Sequence, residues 1–439
     1  MFLKNRAVRN WTAMGLVLSM IVVMGMECPP GGGNNNNNNN GNNNNNGNNN
    51  IDSITLDLVK LTTQATTTSG PKVGDGIIVF NAQGNAILAW LNAGEMSADV
   101  KEVPAPAGMT HNTSLFTAQG KKIVVKDRNS GAIYVYDTLT DDVDAIPTAS
   151  VNITTGTFAG DGQYVATINS TVTTQDGANR LIKVTDITNT NNFMTTPFND
   201  PNEIPNAISV DAGTKRIAVR GTDSFFIYDI DTPGAAVQSW TISQLQGGVG
   251  VNSEMKIRGD YIAFFDDNDN FSLLNILTGV RSQPQRNPGR ANTGLDIEGG
   301  LFGYFAAQTA DDGSTISVIN RALFGNVTNI DNLVDPAGTQ LNGTDDTDGR
   351  IGFGATISIS PDGKYVCVAG ASPVGVAEHE RLYVSVDGGA FKPVVDAADP
   401  TGFLKAAAVS VNNSLIAFLI SADPTSDTTS VSVGYAELP

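Results

Sequence analysis

Six short runs constrain this chain more than anything else in it: "IIVF", "KIVV", "RIAV", "YIAFF", "YVCV" and "LIAFLI". Each is apolar at consecutive positions. A strand with one face in water alternates apolar and polar residues, because successive side chains point to opposite faces. Apolar residues at every position mean that both faces are covered. Helices could supply the cover, but the chain carries almost no amphipathic helical pattern. It holds 46 glycines and only 16% charged residues, a balance that favours a turn-rich, all-β protein. The cover must then be neighbouring sheets.

Each run belongs to a recurring unit. The clearest copy is "ATISISPDGKYVCVAG" (Ala355–Gly370), followed by "ERLYVSVDGG" and "FKPVVDA". It reads as a strand, a tight turn at Asp362-Gly363, a strongly apolar strand, a polar loop, a third strand and a weaker fourth. "SLFTAQGKKIVVKD", "GTFAGDGQYVATIN", "AISVDAGTKRIAVRG", "EMKIRGDYIAFFDD", "GLDIEGGLFGYFAAQ" and "AAAVSVNNSLIAFLI" open further copies. "GDGIIVFNAQGNAILAWLNAG" opens another, with a poorly marked first strand. The starts fall roughly every 40–60 residues, the spacing of four-stranded sheets arranged radially. Twisted sheets that stack face to face close into a ring. A parallel β-helix would need a shorter repeat, and a two-sheet sandwich would not repeat. The expectation over residues 51–439 is an all-β propeller of four-stranded antiparallel blades, with eight blades favoured and seven the alternative. The last copy stops before its fourth strand. "SITLDLVKLTT" (Ser53–Thr63) is an unclaimed strand at the other end, expected to complete the last blade.

The unit "ISISPDGKYVCVAG" resembles the blades of bacterial TolB-like propellers and, more distantly, the tryptophan-aspartate repeat family, although the Trp-Asp dipeptide itself is absent. The resemblance implies an architecture and no particular chemistry. It also implies that the loops between strands two and three share a partner-binding face with the connections between blades. That face would carry His111, Asp127, Asp223, Asp312, Asp345, His379 and Glu380. It would be strongly negative and suited to cations or a basic partner; the plain alternative is that Asp and Asn satisfy local turns.

Two oxygen-rich segments invite a calcium reading. "DDNDN" supplies Asp266, Asp267 and Asp269, and "TDDTDGR" supplies Asp346 and Asp348. The second lacks an acid at the first and twelfth positions of a calcium loop, where Thr344 and Ala355 stand. No other cofactor is expected. "SVDGGAF" (Ser385–Phe391) resembles the aspartate box of sialidases and predicts a tight turn.

The amino-terminal segment speaks of location. Lys4, Arg6 and Arg9 precede the apolar "WTAMGLVLSMIVVMGM" (Trp11–Met26), which is short of the roughly 20 residues that span a bilayer. Residues 1–27 therefore read as an export signal. Cys28 resembles the lipid-attachment cysteine of bacterial lipoproteins. Gly25, Met26 and Glu27 stand before it, so ordinary cleavage after Gly25 and simple secretion stay open beside lipidation. An uncleaved membrane anchor is the third reading. Residues 29–50 are Pro, Gly and Asn, a composition that cannot repay its ordering entropy. As a flexible linker they span on the order of 26 Å. The other cysteine, Cys367, lies in an apolar strand and reads as a small buried hydrophobe.

A net charge of −18 repels phosphate backbones and excludes nucleic acid as a natural partner. No nucleophile elbow, phosphate-cradling glycine loop or paired-histidine metal motif is present. The reading is an extracytoplasmic, lipid-anchored or secreted monomer that acts as a non-catalytic binding or scaffold module. Its partners would be protein or polysaccharide at the cell envelope. The alternative is a polysaccharide hydrolase or lyase working with two loop carboxylates.

Overall fold

The second strands hand alternate side chains to two different interfaces, as their uninterrupted apolar character requires. Ile77 and Val79 enter one buried cluster while Ile78 and Phe80 enter another. Ile262 and Phe264 face one neighbour, Ala263 and Phe265 the other. Val366 and Val368 are divided in the same way from Cys367 and Ala369. Burial holds the Cys367 thiol far above its ordinary value, so it packs as a hydrophobe.

The computed structural model describes residues 52–65, 70–82, 85–91, 98–104, 115–127, 132–146, 158–168, 181–189, 193–198, 203–242, 255–266, 270–282, 295–309, 315–324, 331–332, 341–343, 356–373, 381–421 and 431–439. Among them the strands gather into eight antiparallel modules, spanning 72–102, 115–146, 158–197, 207–241, 255–275, 295–332, 356–396 and 406–437. We number them 1 to 8. The first strand of each module touches the first strand of the next, and module 8 returns to module 1. A buried apolar cluster fills every joint of this circuit. Aromatic pairs bridge several of them, including Phe225–Phe264 at 4.8 Å and the stacked Phe271–Tyr304 at 4.1 Å. Truncating one such ring to Ala costs about 3–5 kcal/mol. The all-β propeller expected from the sequence is the fold.

Three modules depart from the pattern of separate four-stranded sheets. Module 5 has three strands, with a single bridge from Leu274 to Arg281 beside the third. Modules 6 and 7 are joined into one eleven-stranded sheet by Leu341–Gly343, which pairs with Thr315–Leu323 on one side and Tyr365–Pro373 on the other. Those two partner strands are nine residues long and leave ladder groups to be paired beyond their own modules. Leu341 is buried in the intervening cluster.

The amino-terminal strand segment closes the circuit, with one difference from the expectation. Val59–Ala65 pairs antiparallel with Val431–Glu437 and completes module 8. Ile54–Leu56 instead lies parallel to Lys392–Asp396, the outer part of module 7. The cause is the spacing of two apolar anchors. Leu56 is buried between modules 7 and 8, and Leu61 between modules 8 and 1. One straight strand cannot fill both clefts. Ion pairs Lys392–Asp52 at 2.7 Å and Lys60–Asp396 at 3.6 Å flank the crossing.

The turns between first and second strands converge beside the axis. At Gly299, φ is +54° and an added Cβ would lie 2.2 Å from the Gly363 nitrogen of the next module. Only glycine meets both demands. The turn expected at Ser385–Phe391 is present, with Ser385 Oγ donating to the Gly389 carbonyl at 2.7 Å.

Candidate functional site

A first strand in a propeller is a sheet edge, and its outward N–H groups need acceptors. Polar residues alternate with apolar ones along these strands: Ser209 and Asp211, Lys256 and Arg258, Asp296 and Glu298, Thr356 and Ser358, Ser410 and Asn412. The apolar members enter the joints, and the polar members of modules 5 to 8 line a central cavity of about 560 Å³.

A directional belt of hydrogen bonds runs around this cavity. A side-chain oxygen of one module accepts an N–H from the first strand, or the turn after it, in the following module. Asp161 Oδ2 takes the N–H of Ala212 at 2.7 Å, Ser209 Oγ that of Ile257 at 3.1 Å, and Asp211 Oδ2 that of Gly259 at 2.6 Å. Asp296 Oδ2 takes that of Ile359 at 2.7 Å. Thr356 and Ser358 take those of Val409 and Val411 at 3.0 and 3.2 Å, and Ser410 takes that of Val73 at 3.2 Å.

Module 5 breaks the pattern, because its inward residues are cations and cannot accept. The roles therefore reverse at the next joint. Lys256 Nζ lies 2.5 Å from Asp296 Oδ1 and 2.7 Å from Glu298 Oε1. Arg258 grips Glu298 with two bonds, Nε to Oε2 at 2.7 Å and a terminal nitrogen to Oε1 at 2.6 Å. It also reaches Asp161 at 3.0 Å and the carbonyls of Val210 and Ile257 at 2.9 Å. All five of its N–H donors are thereby used, and four modules meet at one guanidinium.

The electrostatics follow from this closure. Burial pushes the Glu298 carboxyl up, but Lys256 and Arg258 outweigh it and hold the group below its ordinary value. Burial likewise opposes the charge on Lys256, yet Asp296 and Glu298 hold its ammonium above the usual range. Neither group is tuned toward neutral pH, where a general acid or base would work best.

Three of the residues singled out from the sequence fall within the described structure, and each follows its module's second strand. Asp127 is buried, and its N–H donates to the Ala132 carbonyl at 2.9 Å. Asp223 is half-buried and donates its N–H to Glu203 at 2.8 Å. Glu203 is a buried acid in the connection before module 4 that sequence reading passed over. Asp266 is fully buried, with Oδ2 on Arg281 at 2.9 Å and Oδ1 taking the N–H of Asn270 at 3.0 Å. Among the described residues, no three His, Cys, Asp or Glu side chains form a metal-holding group. Cys28, His111, Asp267, Asp269, Asp312, Asp345, Asp346, Asp348, His379 and Glu380 lie outside the described residues.

The inward charges were also missed, although the sequence holds a signal for them. Lys256 and Arg258 stand 40 residues before Asp296 and Glu298. Opposite charges thus occupy equivalent places in successive repeats.

No known protein family matches this chain, and no curated protein matches it either. Solved structures do. The computationally designed protein Ika8 is 13% identical with a TM-score of 0.50, covering 87% of this chain and 99% of its own. The C-terminal WD40 domain of Sif2 is 13% identical with a TM-score of 0.47, covering 88% and 99%. BamB from Moraxella catarrhalis is 14% identical with a TM-score of 0.45, covering 88% and 99%. At these identities the likeness is one of fold alone, and the fold that the circuit of modules builds is a β-propeller.

Proposed function

We propose that this chain is an eight-bladed propeller that acts as a non-catalytic binding module, held at the bacterial cell envelope by a lipid on Cys28 and a stalk of residues 29–50. The observation that carries the non-catalytic part is the closed network at Arg258. Every described charged group on the cavity wall of modules 3 to 6 has its partner within the wall. A carboxylate that must give or take a proton needs a vacant, tuned site, and this arc offers none. The envelope part rests on the export signal, Cys28 and the Asn/Gly stalk.

A protein partner would meet the acidic loops between second and third strands and the connections between blades that share their face. Charge reversal at Asp223, Asp345 and Glu380 should then weaken capture of a basic envelope protein and flatten its dependence on salt. The test uses the full chain in membranes. Metabolic labelling with a fatty acid should mark the wild type and not Cys28→Ala, and cross-linking should recover one partner that the charge-reversed chain loses. Turnover of an envelope polysaccharide by purified protein, abolished at loop carboxylates, would overturn the reading. Arg281 already neutralises Asp266, so added calcium should leave the melting temperature unchanged.

A further inference from the structure

The two sides of the central cavity differ in what they leave unused. On the side of modules 3 to 6 the charged groups are saturated. Arg258 has no N–H to spare, Glu298 accepts three bonds, and Asp296 accepts from Lys256, Ile297 and Ile359. A charged ligand could bind there only by displacing an internal pair. Breaking such a pair strands a charge in a partly desolvated wall, which is costly.

The other side is formed by modules 1, 2, 7 and 8, and among its described lining residues only the exposed Lys72 carries a charge. Ser358 and Ser410 each accept a backbone N–H, and the described residues supply no acceptor for their hydroxyl hydrogens. Gln119 donates to Thr117 at 3.1 Å, while its carbonyl oxygen and the Asn412 amide have no partner among the described residues. These four side chains are half-buried and line the same cavity. They offer hydroxyl donors beside amide donors and acceptors. The cavity's 560 Å³ falls within the roughly 300–1,000 Å³ typical of small-molecule sites.

We propose that the hydroxyl and amide groups of this side bind a short, uncharged oligosaccharide. A sugar hydroxyl both donates and accepts, so a row of them can use hydroxyl hydrogens and amide groups together. It asks for no counter-ion and disturbs no internal ion pair. No aromatic side chain lines the cavity, which removes stacking as a reason for a flat aromatic ligand to prefer it. This inference concerns the axis and does not depend on the acidic loops taking a protein partner.

The test is calorimetric titration of the full chain with neutral trisaccharides built from glucose, galactose, mannose or N-acetylglucosamine. Trigalacturonate and triglucosamine serve as charged arms. Q119A and N412A should each weaken binding of the neutral ligand roughly tenfold, and N412W should abolish it by filling the cavity. Neither Gln119 nor Asn412 bonds to a neighbouring module's N–H in the belt, so all three variants should keep the wild-type melting temperature. Failure of every neutral trisaccharide to bind at millimolar concentration would overturn the proposal. So would tighter binding of either charged arm, or binding that survives N412W in a variant that melts normally. A protein partner captured by the wild type while no neutral trisaccharide binds it would leave the binding-module reading standing and remove this one.

Discussion

Where modules 7, 8 and 1 meet, the N–H groups facing the axis are taken by hydroxyls, from Thr356, Ser358 and Ser410. Across the cavity, from module 3 to module 7, they are taken mainly by carboxylates, Asp161, Asp211 and Asp296, beside the single hydroxyl of Ser209, and Lys256 and Arg258 tie acids of this arc together. Both arcs solve the same edge problem. The hydroxyl arc does so pairwise, since each residue serves its neighbour and depends on no third group. The charged arc is coupled. Once module 5 places cations inward, module 6 must place acids at the equivalent positions, and Asp161 is drawn in from two modules away. Local redundancy belongs to the first arc and cooperativity to the second.

The sharpest way to break this contrast is to remove the shared cation. R258M should cost about 3 kcal/mol, the low end of the range for splitting a buried pair, because Lys256 still faces Glu298. Denaturant titration would show it. Adding E298Q should recover part of the loss, since the stranded charge goes with it. Strict additivity of the two changes would mean that the network is not coupled. D296N comes next, at roughly 2 kcal/mol. It weakens an acceptor that serves Ile297, Ile359 and Lys256 together.

How much of this could be read from the sequence follows the same division. The joints were legible, because an uninterrupted run such as "YIAFF" can be buried only between two sheets, and its residues do alternate between two clusters. Closure by the amino-terminal segment was half legible. The strand was visible, but its split between two modules depends on where Leu56 and Leu61 find clefts, and that is a matter of three-dimensional spacing. The belt was hidden because "MKIR" and "LDIE" each look like an ordinary half-exposed strand. Their complementarity emerges only when successive repeats are laid side by side. The loop acids misled in a different way. Asp266 looks like a solvent-facing ligand in "DDNDN", yet Arg281, fifteen residues on, folds back to cover it.

Acid should separate the arcs. Glu298 is held below its ordinary value of 4.5. Its contribution to stability is therefore fully present above that value and disappears as pH falls through the lower, folded one. Each pH unit of that displacement is worth about 1.4 kcal/mol. E298Q should be less stable than wild type near neutrality, and its loss of stability on acidification should be shallower below about pH 4.5. Equal slopes would show that the charged arc does not govern acid unfolding.

The smallest effect is expected in the hydroxyl arc. S358A removes one neutral acceptor and leaves the Val411 N–H facing the central cavity, where water can partly replace the lost bond. The expected loss is about 0.5–1 kcal/mol, independent of pH from acid to alkaline conditions because no titrating group is touched. Combined with S410A, the losses should add within about 0.5 kcal/mol, since the two oxygens serve different joints. A pairwise arc must behave in this way. If the double variant instead fell as steeply as R258M, the hydroxyls would be acting as one network, and the distinction between the two sides of the ring would disappear.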